Sequence, residues 1–177
     1  GNVTFTGNLG SADTTITSNS TFTSSTTANL GSGTITVDSG STLNVQNTSG
    51  LGSGTVTVNG TLNADADKIT GDTINGTGTV AVTNLDATLG ADFSNVNSST
   101  TLNVDFSGTG TYTGNLINVD LLTINTGTMT IDASIIDGIT TTNSSTIEIT
   151  NLDATAAADL STITGGTTNA TSDGNVT

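Results

Sequence analysis

Carboxylates carry nearly all the acid–base and metal chemistry open to this sequence. The 177 residues hold 15 Asp and Glu against a single basic residue, Lys68, with no His and no Cys. That inventory excludes Ser-His-Asp and Cys-His nucleophilic catalysis and removes the usual ligands of zinc and copper. Two chemistries stay open to acids alone. Glycoside cleavage needs two carboxyl groups roughly 5 to 9.5 Å apart across a cleft. The pairs Asp86 with Asp92, Asp132 with Asp137 and Asp153 with Asp159 are close enough in sequence to be considered for it. With no Trp, no Arg and one Tyr, the chain has almost nothing to stack on or clamp a sugar. A polysaccharide-cleaving enzyme is therefore the third expectation, and no catalytic residue is assigned.

Calcium binding is the second chemistry. Asp65-Ala66-Asp67 followed by Gly71-Asp72 collects hard oxygen ligands in one short segment, which makes Asp65, Asp67 and Asp72 the candidate metal ligands. The segment does not follow the EF-hand pattern, since Ile69 takes a ligand position. Nor is there a GGxGxD corner, because Gly165-Gly166 runs into Thr167-Thr168-Asn169. Asp at a corner is ordinarily a solvated turn former. The expectation is no required cofactor and a small, nonspecific effect of calcium.

The elements that must position these acids come from a repeat. LGSGTITVDSGSTLN, Leu30 to Asn44, returns as LGSGTVTVNGTLN from Leu51 to Asn63, a period of about 21 residues. A unit this short buries a core only when neighbours stack on it, which is the logic of a solenoid. Runs that alternate apolar and polar residues recur at Thr15–Thr17, Thr34–Val37, Thr55–Val58, Thr79–Val82, Thr101–Val104, Leu122–Ile124 and Thr146–Ile149, as half-buried strands do. Glycine-rich corners such as Gly31-Ser32-Gly33 precede them. Coil spacing predicts one column of Ile35, Val56 and Val80 and another of Val37, Val58 and Val82. A longer repeat matches TVAVTNLDAT (Thr79 to Thr88) to TIEITNLDAT (Thr146 to Thr155), an offset that three coils of about 22 residues would fill. The expected fold is all-β, a right-handed parallel β-helix of about eight coils, each of roughly 20–24 residues. It forms one domain over residues 1–177.

Composition bounds the partners. A net charge of −14 with one Lys excludes nucleic acid and disfavours anionic membrane surfaces. No apolar run approaches the roughly 18–20 residues that cross a bilayer, so no membrane insertion is expected. Absence of Cys, acidity and repetition together suggest a protein exported to the cell surface or the extracellular space. Two recurring patterns carry less. Thr-x-Thr triplets at Thr4, Thr21, Thr34, Thr55, Thr111 and Thr128 suggest an ice-binding Thr face, but they fall at irregular intervals. Nine Asn-x-Ser/Thr acceptors, at Asn2, Asn19, Asn47, Asn59, Asn75, Asn97, Asn143, Asn169 and Asn175, are about what this composition produces by chance.

The LGSGTVTVNGTLN type of coil, clearest over Leu30 to Asn63, resembles the passenger repeats of bacterial autotransporter adhesins and other large repetitive surface proteins. No membrane barrel accompanies it. The resemblance implies extracellular display as a non-catalytic structural segment of a surface fibre, with adhesion or biofilm roles and host or surface glycans as possible ligands. An ice- or glycan-binding solenoid is the alternative. Gly174-Asn175-Val176-Thr177 repeats Gly1-Asn2-Val3-Thr4. The reading is of an excerpt or repeat unit of a longer chain, associating end to end.

Overall fold

The computed structural model describes residues 1–17, 19–46, 48–97, 99–152 and 158–172. Thr, Val and Ile dominate its strands because β-branched side chains suit a pleated surface. All pairing between strands is parallel, and the coils stack as a β-solenoid of about eight turns.

One long sheet runs through nine strands: β1 (Asn2–Phe5), β3 (Thr21–Ser24), β5 (Thr42–Val45), β7 (Thr61–Asp65), β9 (Thr79–Thr83), β10 (Thr101–Phe106), β12 (Leu121–Ile124), β14 (Thr141–Asn143) and β16 (Ile163–Thr164). A first short sheet joins β2 (Thr14–Ile16), β4 (Ile35–Val37), β6 (Val56–Val58) and β8 (Ile74–Gly76). A second short sheet joins β11 (Thr109–Tyr112), β13 (Thr128–Asp132), β15 (Thr146–Thr150) and β17 (Thr167–Ala170). Two single-turn helices, α1 (Ala66–Ile69) and α2 (Ala133–Ile136), and a 3-10 turn at Leu85–Ala87 make corners.

Alternation of side chains turns each strand into two columns. Leu43, Leu62, Val80 and Leu102 stack inside the long sheet, beside Val45, Ala64, Val82, Val104 and Leu122. Ile35, Val56 and Ile74 form the matching column of the first short sheet. Met129 and Ile147, with Ile131 and Ile149, do the same in the second. The few buried polar groups are satisfied, as burial demands. Ser24 Oγ donates to the Asn44 carbonyl and accepts from the Gln46 N–H, and Asn143 Nδ2 donates to the Thr167 carbonyl.

Two sequence expectations are corrected by the register. Val80 and Val82 do not continue the columns of Ile35–Val56 and Val37–Val58; those continue into Ile74 and Gly76, whereas Val80 and Val82 belong to the long sheet. The coil that starts at Val56 closes at Ile74, and the stretch from there to Val80 is a step to the next face. Ladder partners stand one coil apart, a coil as short as Val56 to Ile74 or as long as Thr79 to Thr101. The wider spacing in the sequence mixes coil length with face steps.

The longer repeat is likewise not three whole coils. From Ala64 the ladder passes Val82 and Val104 and reaches Leu122, yet the repeat counterpart of Ala64 is Ile131, further along the chain and in the second short sheet. The same local order, long strand, helical corner, short strand, long strand, is laid down twice: β7, α1, β8, β9 and then β13, α2, β14, β15. The second copy is rotated by one face. β10, the longest strand, makes the change: Thr101–Val104 pair with β9 and Asn103–Phe106 with β12.

Candidate functional site

Corners place the acids. Asn and Asp side chains accept the N–H two residues on, closing a tight turn without help from the sheet. Asn8 and Asn29 do so for Gly10 and Gly31, Asp92 for Ser94, Asp132 for Ser134 and Asp159 for Ser161. Asp137 accepts the N–H of Asp159 from the next coil, and Asp86 that of Ser107. The carboxylates weighed as acid–base pairs are thus engaged in turn and coil-to-coil hydrogen bonds; Asp153 lies outside the described residues.

The calcium candidates sit in separate surroundings. Asp65 Oδ1 accepts from Thr83 Oγ1 and Asn84 Nδ2, both at 2.7 Å. Asp67 pairs with Lys68 at 2.6 Å. Burial raises the Asp72 carboxyl above its usual range, a desolvation effect. Among the described residues no three acidic side chains converge on a common point.

Asp65 instead belongs to a staple. Asn84 sits in the left-handed region at φ 54°, and its amide is held by the Asp65 carboxylate of the coil before. At the matching position of the longer repeat, Asn151 has the same φ and donates to Asp132 at 2.6 Å. Asn tolerates that conformation far better than Ala. Asn84→Ala is therefore expected to cost about 1–2 kcal/mol, and Asn84→Gly distinctly less, in urea unfolding. Equal costs would show that the left-handed backbone is not what selects Asn.

Hydrogen bonds also set the acid response. The Ser94 N–H holds Asp92 below the usual carboxylate range, the Ser134 hydroxyl and then Asn151 hold Asp132 there, and the Ser161 hydroxyl holds Asp159. A lowered folded-state value adds stability above the unfolded Asp value of about 3.9, and that stability is lost as pH falls through the lower value. Asp72 has the opposite sign. Down to pH about 4 only Asp72 acts, so the melting temperature stays level or rises slightly, and below it the three lowered groups outweigh Asp72 and it drops, with salt near 0.5 M to screen the repulsion of the other acids. A melting temperature that climbs steadily between pH 5 and 2 would contradict this. Tyr112, whose buried hydroxyl donates to the Ala91 carbonyl, is pushed well above its ordinary value by burial and then by Asp92.

The long sheet of nine strands also presents an outward face. Thr21, Thr42, Thr61, Thr79 and Thr101 occupy one column in unbroken register. The Thr-x-Thr triplets do not build it together, because Thr21 lies in the long sheet, Thr36 and Thr57 in the first short sheet, and Thr111, Thr128 and Thr130 in the second. Beside the Thr column runs an amide ladder. Asn63 Nδ2 donates to Asn44 Oδ1 at 2.8 Å, and Asn44 Nδ2 to Thr23 Oγ1 at 3.1 Å. A shallow groove follows, lined by Asn44, Gln46, Asn63, Ala64, Asp65 and Thr83. Sequence reading missed it, because the columns that build it join residues a whole coil apart, in coils of unequal length.

No protein-family model, curated protein or solved structure compared with this chain matches it. No helix among the described residues is long and apolar enough to cross a membrane, which leaves β-barrels unaddressed.

Proposed function

We propose that this chain is a non-catalytic structural segment of a cell-surface or extracellular fibre of the adhesin kind. The observation that carries the reading is the uninterrupted nine-stranded parallel sheet with its continuous apolar interior. At about 4.8 Å per strand that ladder extends roughly 38 Å along the axis. Every coil is joined to the next by backbone hydrogen bonds parallel to the axis, so the chain acts as a stiff spacer. Freedom from Cys, high acidity and the likeness of its coils to surface-protein repeats support an exported location. End-to-end association fits the same reading: among the described residues β1 and β16, the two edges of the long sheet, each pair on one side only, with β3 and β14, and neither carries a charged residue to discourage further pairing.

The test is single-molecule pulling on residues 1–177 held at the two ends. A rod of this kind resists and then yields in steps of one coil, each releasing roughly 20 residues. Extension without a force signature would remove the mechanical reading. An ice- or glycan-binding role is the second reading, favoured by the in-register Thr column, and thermal hysteresis in a freezing assay tests its ice-binding form.

A further inference from the structure

We infer that the groove on the long sheet, where the amide ladder breaks, is a binding site for a neutral polyhydroxyl ligand such as a saccharide. The inference rests on reading the chain as an exposed, non-catalytic rod, and it gives that rod a specific place of contact. Each amide of the ladder donates to the coil before it and offers its Oδ1 to the coil after. After Asn63 the next residue in the column is Ala81, and Asn103 follows only one coil later. Ala81 has no donor to give, so among the described residues Asn63 Oδ1 keeps no hydrogen-bond partner. One column over, Thr83 and Asn84 both use Asp65 Oδ1 and leave Oδ2 open. Gln46, exposed and one coil earlier than Asp65, adds an amide donor to the same groove.

The chemistry of this lining selects its occupant. Asp65 is the one acid among the described residues that line the groove, and a single carboxylate does not make a cation site. An anion meets no Lys or Arg here and a protein of net charge −14. An apolar ligand would strip water from an amide oxygen and a carboxylate oxygen with nothing in return. Hydroxyl groups both donate and accept, and so can satisfy Asn63 Oδ1, Asp65 Oδ2 and the Gln46 amide together. With no aromatic platform in the groove, binding is expected to be weak, in the millimolar range for a trisaccharide.

The test is NMR titration of the 177-residue protein with maltotriose, mannotriose and chitotriose, and with tri-galacturonate as the anionic comparison. The expected result is saturable shifts of the Gln46, Asn63, Asp65 and Thr83 amides with at least one neutral trisaccharide and none with the anionic one. Ala81→Asn completes the ladder, giving Asn63 Oδ1 a protein donor. It should leave the melting temperature equal or higher and weaken binding at least tenfold. Gln46→Ala, at an exposed position, should weaken it severalfold and serves if Ala81→Asn fails to fold. No shifts at 50 mM of any neutral trisaccharide, shifts confined to other residues, or undiminished binding by the folded variants would each overturn the site. The rod would still be judged separately, by its pulling trace.

Discussion

Val56→Asp is expected to unfold several coils, whereas Thr57→Asp, one residue along, leaves them folded. Val56 is 1% exposed and sits between Ile35 and Ile74 in the column of the first short sheet. A carboxylate placed there has no partner, and breaking the pairing of a buried charge typically costs about 3–5 kcal/mol. A domain holds about 5–15 kcal/mol in total. Because each coil is stable only through its neighbours, loss at β6 exposes the apolar faces of β4 and β8 as well. Thr57 points the other way, in the outward column Thr36, Thr57, Asn75, so an Asp there loses only strand preference, under about 1 kcal/mol. Far-UV circular dichroism melts of the two variants check this. Equal melting temperatures would mean that the two faces of β6 are wrongly assigned.

Gly52→Ala should be far more damaging than Gly71→Ala. Both glycines have positive φ, 83° and 77°, where an L side chain pays about 1–2 kcal/mol. A Cβ on Gly71 meets open space, so Gly71→Ala pays only that conformational cost. On Gly52 it would run into the carbonyl oxygen of Gly31 in the coil below, and a Cβ on Gly31 would meet that of Gly10 in the same way. Stacked corners approach closely because the Ser32 N–H donates to the Gly10 carbonyl and the Ser53 N–H to that of Gly31. Relieving the collision means lifting coil from coil, which adds about 1–3 kcal/mol of overpacking. Chemical denaturation of the two variants should therefore separate them by at least about 1 kcal/mol. Matching losses would show that close backbone approach does not constrain the corner.

The solenoid itself was legible from the shorter repeat, since Leu30–Asn44 and Leu51–Asn63 fall in true register, with Ile35 on Val56 and Leu43 on Leu62. What the sequence hid was the division into faces. Thr55-Val56-Thr57-Val58 and Thr79-Val80-Ala81-Val82 look alike, yet they lie on different sheets. The strand that stacks on β6, Ile74-Asn75-Gly76, has lost the alternation that would mark it. Variable coil length is absorbed at corners such as α1, where helix or loop changes the residue count without disturbing the ladder. The acids were read correctly as turn formers at Asp92, Asp132 and Asp159. Asp65 was not legible as a staple, because its partner Asn84 stands 19 residues away and only stacking brings them together. The groove beside it depends on an absence, the missing amide at Ala81, which no motif records.

Cysteine cross-linking tests the stacking most directly, since the chain has no native Cys to compete. Thr57 and Asn75 are ladder partners with outward side chains, within the Cα separation of about 4.4–6.8 Å that a disulfide spans. Thr57 and Ala81 fit the coil spacing read from the sequence but lie on different sheets. Under mild oxidation Thr57→Cys with Asn75→Cys should close to an intramolecular disulfide and keep its circular dichroism spectrum, while Thr57→Cys with Ala81→Cys stays reduced. Closure of the second pair and not the first would contradict the register on which the rod, its staples and its groove all depend.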